Sequence, residues 1–89
     1  MLFTKLDCSR EVAEKLWSKH AVEQDEVHEA LNSEQLILRE GRDGLWEALG
    51  RTDAGRYLCI IVRPLGPDHA RLVTARQMDR SERRIYSRR

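Results

Sequence analysis

Apolar positions recur at helical spacing in the first third of the chain and then switch to the alternation of strands. A first helix is indicated by four apolar residues, Val12, Ala13, Leu16 and Trp17. Ser9 precedes it and predicts an N-cap, because its hydroxyl can accept from an amide of the first turn. A second helix is predicted over residues 23–31, with an acidic first turn and Asn32 as a left-handed stop. Weak alternation over residues 2–6 predicts a short edge strand.

Further strands are predicted after the second helix, over residues 36–39, 45–51, 56–63 and 71–75. Turn chemistry separates them at residues 41–44 and 52–55. Pro64 and Pro67 are expected to end the strand at 56–63, since proline has no amide to donate to a ladder.

A capping box at residues 79–82 predicts a short basic helix that reaches Tyr86. The element order is then β-α-α-β-β-β-β-α, in which consecutive strands with short loops pair antiparallel and helices cover one face. The predicted fold class is therefore α+β, an antiparallel meander sheet packed by two N-terminal helices, in one domain spanning residues 1–89.

Composition agrees with one small domain. The 89 residues are 40% hydrophobic and 35% charged, which excludes a disordered or linker-like chain. The apolar run at 58–62 is far too short to span a bilayer, and the start lacks a signal-peptide pattern, so we expect a cytoplasmic protein without membrane contact. Cys8 and Cys59 form no CxxC pair, and Cys59 is expected to be a buried free thiol.

Charge is divided unevenly along the chain. Residues 71–89 hold seven arginines against Asp79 and Glu82, whereas residues 1–70 are net acidic. This asymmetry indicates a polyanion or an acidic protein as partner, although a solvated helix face has the same composition. The His and Cys residues lack metal-ligand spacing and no phosphate-binding glycine loop occurs, so neither a metal nor a cofactor is expected.

Four short clusters occur in an order that resembles a known family. They are Lys19-His20-Ala21-Val22, Ala48-Leu49-Gly50-Arg51, Gly55-Arg56-Tyr57-Leu58, and Val73-Thr74-Ala75-Arg76 with Ser81-Glu82-Arg83-Arg84-Ile85-Tyr86. Together they resemble the BrnT family of ribonuclease toxins from type II toxin–antitoxin systems, whose members carry a K-H-G-V step, a G-R-x-L strand start and an A-R…E-R-R-x-Y ending. The chain departs from the family at Ala21, where glycine is usual, and at Leu6, where tryptophan is expected.

The resemblance implies a fold similar to the RelE toxins and a metal-independent endoribonuclease that cuts RNA and inhibits translation. It also implies a cognate ribbon-helix-helix antitoxin, with operator DNA bound only through that antitoxin. Two alternatives stay open. One is a non-catalytic RNA- or protein-interaction module of the same fold, and the other is direct DNA binding through residues 80–89.

Metal-free RNA cleavage needs a base for the ribose 2′-OH and cations for the phosphorane-like transition state. Glu47 is the candidate base, and an ion pair with Arg51 or another arginine is the alternative. Arg63 and Arg76 end their strands, where guanidinium groups can bind phosphate, and Arg76→Ala is expected to abolish toxicity with little loss of stability. His20 is a candidate acid or base, or a cap for the first helix.

RNA binding is predicted for four residues of the resembling clusters, Arg51, Arg56, Arg83 and Tyr86. Tyr86 has two predicted roles, stacking on a base and docking the last helix on the sheet. Trp17 and Trp46 are expected in the core, and His28 and His69 on the surface.

Overall fold

The computed structural model describes residues 5–88, and their elements follow the predicted order. The elements are β1 (Lys5–Asp7), α1 (Arg10–His20), α2 (Gln24–Leu31), β2 (Ile37–Glu40), β3 (Trp46–Arg51), β4 (Tyr57–Gly66), β5 (His69–Gln77) and α3 (Arg80–Ser87). Residues 2–4 of the predicted first strand lie outside the described residues. Both predicted caps are confirmed: the Ser9 hydroxyl accepts from the Val12 amide at 3.1 Å, and Asp79 forms a capping box with Glu82.

Within residues 5–88 the strands form one sheet in the order β1-β5-β4-β3-β2. Strands β2 to β5 make the predicted antiparallel meander. The first strand departs from it, because β1 pairs with β5 in parallel. The chain crosses through α1 and α2 to the opposite edge of the sheet and returns strand by strand to β1, which provides the long connection that a parallel pair requires.

Strand β4 is longer than predicted. It continues through Pro64 to Gly66 and pairs with β5 as far as His69. Its pairing with β3 ends at Val62, so Pro64 lies where β4 has a neighbour on one side only. Proline is tolerated on such a one-sided stretch, where one side of the strand needs no donor, and the expected strand end at Pro64 is wrong.

Helices cover both faces of the sheet, not one as expected. On one face α1 and α2 build the larger core, formed by Leu16, Val22, Val27, Ala30, Leu31, Ala48, Leu58, Ile60, Val62, Ala70, Leu72 and Ala75. On the other face α3 packs through Tyr86 against Leu49 and Cys59. Strand alternation separates the two layers, since Leu58 and Ile60 face α1 and α2 while Cys59 faces α3.

The close approach of α2 to β3 depends on Gly50. A side-chain carbon at Gly50 would overlap the backbone carbonyl of Ala30, so glycine is required here. The Ser33 hydroxyl completes the contact, donating to the Ala30 carbonyl at 2.7 Å and accepting from the Arg51 amide at 3.3 Å.

Trp17 lies outside the core, and its expected place there is wrong. The residue is 59% exposed, whereas the adjacent Leu16 is buried. Successive helical residues lie about 100° apart, so a narrow inward stripe cannot include both. Trp46 packs at the edge of the larger core as predicted. His28 is exposed as predicted.

His69 is half-buried at the start of β5. Its Nε2 lies 2.9 Å from Asp7 Oδ2, without the alignment of a hydrogen bond. The expected surface position of His69 is therefore only partly met, because the half-buried side chain lies against Asp7 of β1.

The turn between α1 and α2 contains a left-handed alanine. Ala21 has φ 52° and ψ 42°, and its amide donates to the Trp17 carbonyl and so closes α1. Asn32 was expected to be the left-handed residue but has φ −95°. Its side-chain amide instead donates to the His28 carbonyl at 2.9 Å, which ends α2 without a left-handed residue.

Replacing Ala21 with glycine should raise the free energy of unfolding by about 0.5–1 kcal/mol. The left-handed conformation costs alanine roughly 1–2 kcal/mol, and the greater freedom of unfolded glycine offsets only part of the gain. Urea unfolding at one pH measures the difference. Ala13→Gly, inside α1, is the control and should lower stability by about 1 kcal/mol. A loss of stability in both variants would contradict the strain at Ala21.

Candidate active site

Four charged side chains meet on the α3 side of the sheet, and we call them the charge cluster: Arg39, Glu47, Arg76 and Glu82. They come from β2, β3, β5 and α3 respectively. Strand register brings the first three together, because Arg39 pairs with Glu47 and Arg76 pairs with Cys59 on the intervening β4.

Glu82 is the centre of the charge cluster. Its two oxygens accept from Arg76, Oε1 from Nη1 at 2.7 Å and Oε2 from Nη2 at 2.9 Å, which makes a bidentate pair. Arg39 Nη2 also donates to Glu82 Oε2 at 3.5 Å, and Arg39 Nε donates to Glu47 Oε1 at 2.8 Å. The charges therefore alternate in sign along a continuous chain from Glu47 to Arg76.

Glu82 is buried although it is charged. Only 4% of the residue is exposed, and its carboxylate also accepts from the Asp79 amide in the capping box. Hydrogen bonds from Arg76 lower the pKa of Glu82 to about 2 from its ordinary value of 4.5. In return, the bonds to Glu82 raise the pKa of Arg76 above its usual range. Glu82 is thus ionised at neutral pH and a poor proton acceptor.

Glu47 is the more accessible carboxylate. Its side chain is 25% exposed and pairs with Arg39. The sequence left open an ion pair of Glu47 with Arg51 or another arginine, and the partner is Arg39. An ionised carboxylate beside a cation and in reach of solvent can accept a proton from a bound hydroxyl. The general-base role of Glu47 stays a prediction.

Two members of the charge cluster, Glu47 and Glu82, also belong to a group of described residues that could hold a metal ion. Ligand atoms of Glu47, Cys59 and Glu82 lie within 4.8 Å of one another, a grouping that sequence spacing did not reveal. Cys59 is a buried free thiol as predicted, and its burial, together with the nearby Glu82, raises its pKa to about 12. Because Glu47 pairs with Arg39 and Glu82 pairs with Arg76, a metal ion would have to break both ion pairs, and the geometry favours an ion-pair network over metal ligation.

Among the described residues, neither of the two other predicted catalytic residues forms an ion pair with the charge cluster. Arg63 is exposed on the same sheet face, two residues beyond Ile61, the register partner of Glu47, and so about 7 Å along β4 from it. His20 lies at the end of α1 on the opposite face, where its carbonyl accepts from Arg56 Nη2 at 3.0 Å. The sheet separates His20 from Glu47, so the position of His20 favours its helix-capping interpretation over acid or base chemistry.

Arg56 joins the two N-terminal helices to the sheet. Its guanidinium donates to the carbonyls of Ala21 and His20 and to both carboxylate oxygens of Glu26, at 2.9 and 3.0 Å. Burial alone would raise the pKa of Glu26, but the Glu23 amide and Arg56 outweigh it, and the pKa is lowered. These internal bonds give Arg56 a structural role and leave few of its guanidinium donors for the predicted contact with RNA.

The remaining predicted RNA-binding residues lie around the ring of Tyr57. Arg83 Cζ lies 4.2 Å and Arg51 Cζ 5.2 Å from its ring centroid, and we call these three residues the arginine–tyrosine cluster. Tyr86 meets the Tyr57 ring edge to face at 5.8 Å and is buried against Leu49. The docking role predicted for Tyr86 is confirmed, and its burial leaves no face for a base.

Arg39, Glu82 and Tyr57 were not predicted as site residues. The sequence places Glu82 in a capping box and in one of the clusters that carry the family resemblance, and in the fold it serves both the cap and the charge cluster. The turn at 41–44 signals a hairpin that includes Arg39, but centring the hairpin on that turn places Arg39 opposite Trp46. The observed register is centred on Asp43 and places Arg39 opposite Glu47. Tyr57 carries no comparable signal, since its two arginines come from β3 and α3.

The fold and the charge cluster define a class of small α+β domain, with two crossover helices on one face of the sheet and a short basic helix on the other. Among solved structures, the chain is similar to the Brucella abortus ribonuclease toxin BrnT, with a TM-score of 0.70. The match covers 85% of this chain and 97% of that one at 14% sequence identity. The chain therefore has the BrnT fold that the resemblance implied, while the wider likeness to RelE toxins stays a prediction.

No family model and no curated protein matches the chain. No helix in the described part of the chain is long and apolar enough to cross a membrane. Cytoplasmic localisation stays an expectation from the sequence.

The ion pairs change one expectation about Arg76. Truncating it to alanine was expected to cost little stability because the residue ends a strand. Glu82 would then keep a buried charge without its bidentate partner, which typically costs several kcal/mol. Loss of activity in Arg76→Ala therefore cannot separate catalysis from folding, and a milder substitution is needed.

Glu82→Gln should lower the free energy of unfolding on the order of 2 kcal/mol at pH 7, because Arg76 loses its charged acceptor. The folded-state pKa of Glu82 lies below 4.5, so the stability it contributes is complete above about pH 5 and is lost as pH falls toward 2. Urea unfolding across this range should show the two proteins converge at low pH. Glu14→Gln, an exposed change on α1, is the control, and a constant gap down to pH 2 would contradict the assignment.

Proposed function

We propose that this protein is the toxin of a type II toxin–antitoxin system, a metal-independent endoribonuclease that cleaves RNA and thereby inhibits translation. The observation that carries the proposal is the charge cluster: a solvent-accessible carboxylate, Glu47, paired with Arg39 and linked through Glu82 to Arg76 on a sheet face of the BrnT fold. A base next to fixed cations is what transesterification of an RNA phosphodiester requires.

In this mechanism Glu47 takes the proton of a ribose 2′-OH, and the 2′-oxygen attacks the adjacent phosphorus. The bond from phosphorus to the 5′-oxygen breaks, the leaving oxygen takes a proton from water at the open sheet face, and a 2′,3′-cyclic phosphate results. Arg39 and Arg76 stabilise the extra negative charge on the phosphoryl oxygens. Their side chains are 36% and 37% exposed, so each has donor groups within reach of a substrate.

A cognate antitoxin is part of the proposal. The exposed arginines on α3 would attract acidic segments of such a partner, and the exposed Trp17 offers a large apolar contact on the other face. A ribbon-helix-helix antitoxin would then supply the contact with operator DNA.

One observation favours the alternative, a non-catalytic interaction module. The bidentate bond with Glu82 already occupies the face of Arg76 that would otherwise grip a phosphate. In that interpretation the charge cluster stabilises the fold, and RNA or protein binds elsewhere on the basic surface.

Glu47→Gln distinguishes the two functions. The substitution keeps the shape of the side chain and an acceptor for Arg39 but removes the base, so purified protein should cleave RNA about 100-fold more slowly or worse. Induced expression without an antitoxin should arrest growth for the wild type and not for the variant. Glu40→Gln, an exposed neighbour on β2, is the control and should retain toxicity.

Equal cleavage by folded Glu47→Gln and wild type would remove Glu47 from the mechanism. Wild-type protein that neither cleaves RNA nor arrests growth would support the interaction module.

A further inference from the structure

The arginine–tyrosine cluster holds two positive charges together without a counter-charge. Arg51 reaches Tyr57 from the neighbouring strand, where the two residues are register partners, and Arg83 reaches the same ring from α3. Within residues 5–88, neither guanidinium forms an ion pair with a carboxylate, and both residues are exposed.

Three other arginines of this protein do form ion pairs with carboxylates. Arg39 and Arg76 pair with Glu47 and Glu82, and Arg56 pairs with Glu26. At the arginine–tyrosine cluster, attraction to the electron-rich ring offsets part of the repulsion between two like charges. The arrangement leaves two guanidinium groups, pre-positioned on one aromatic ring, with their donors directed to solvent or to a ligand.

Such an arrangement matches the chemistry of a single-stranded nucleotide. Guanidinium donors bind phosphate oxygens, and the flat faces of guanidinium and aromatic groups stack on bases without regard to sequence. The cluster is also close to the charge cluster, because Tyr57 lies two residues before Cys59 on the same face of β4, about 7 Å along the strand.

We propose that Tyr57, Arg51 and Arg83 form a binding subsite for a nucleotide of single-stranded RNA next to the one whose phosphate is cut at the charge cluster. The inference rests on the proposed ribonuclease function for its substrate, but the subsite is defined by its own residues. Arg51 and Arg83 bind the phosphate of this neighbouring nucleotide, and its base stacks on their guanidinium planes beside Tyr57.

Binding of a short fluorescent 2′-O-methyl oligoribonucleotide tests the subsite directly, because this probe lacks the free 2′-OH needed for cleavage. Arg51→Gln and Arg83→Gln should each weaken binding about tenfold, the size of one lost stacking and phosphate contact. Each should also reduce the salt dependence, the slope of log K against log salt, by about 0.7. Arg83→Lys keeps the charge without the planar fork and should recover only part of the affinity.

Arg84→Gln is the matched control, since it removes the same charge from the next position of α3 and has no contact with Tyr57 among the described residues. It should change affinity by less than about twofold. Equal losses for Arg84→Gln and Arg83→Gln would overturn the subsite in favour of diffuse attraction, and so would a wild type that does not bind the probe.

Cleavage assays separate this inference from the proposed function. If wild type cuts RNA and Arg83→Gln neither binds the probe more weakly nor raises KM, the ribonuclease stands and the subsite is wrong. If no RNA is cut but probe binding depends on Arg51 and Arg83 as described, the subsite stands on a non-catalytic RNA-binding protein.

Discussion

The bond between Glu82 and Arg76 is the interaction on which the rest of this face depends. It joins α3 to β5, and the same Glu82 carboxylate also accepts from Arg39 and from the Asp79 amide in the cap that starts the helix. A charge as buried as that of Glu82 is tolerated because Arg76, Arg39 and the Asp79 amide all donate to its carboxylate. Since α3 also carries Arg83 and Tyr86, the geometry around Tyr57 depends on the same ion pair.

The parts of the fold that sequence predicts best are those governed by neighbours along the chain. Ser9 and the box at residues 79–82 cap their helices as expected, because a cap and its amide lie within one turn. The bond between Arg39 and Glu82 could not be predicted in the same way, because the two residues are 43 positions apart and only the assembled sheet brings them together. The predicted core position of Trp17 was wrong for a related reason, since helical periodicity gives the direction of an apolar stripe but not its width.

Several residues in the clusters that carry the family resemblance have structural roles in the fold. Gly50 allows α2 to touch β3, Arg56 ties the end of α1 to β4, and Ala21 takes the left-handed turn for which the family uses glycine. These residues shape the fold and do not themselves indicate chemistry. The likeness to BrnT at 14% identity is therefore strong as evidence of architecture, and the chemistry must be argued from the charge cluster itself.

The described arginines differ in whether they pair with a carboxylate, and this difference is the physical basis of that argument. Arginines with carboxylate partners, such as Arg56, lose most of their donors to the fold, and the cost of breaking those pairs opposes any ligand that would compete for them. Arg51 and Arg83 have no such partner in the described chain, so a phosphate meets no internal competitor there. Arg39 and Arg76 lie between these limits, paired yet partly exposed, which suits groups that must hold their position and still reach a transition state.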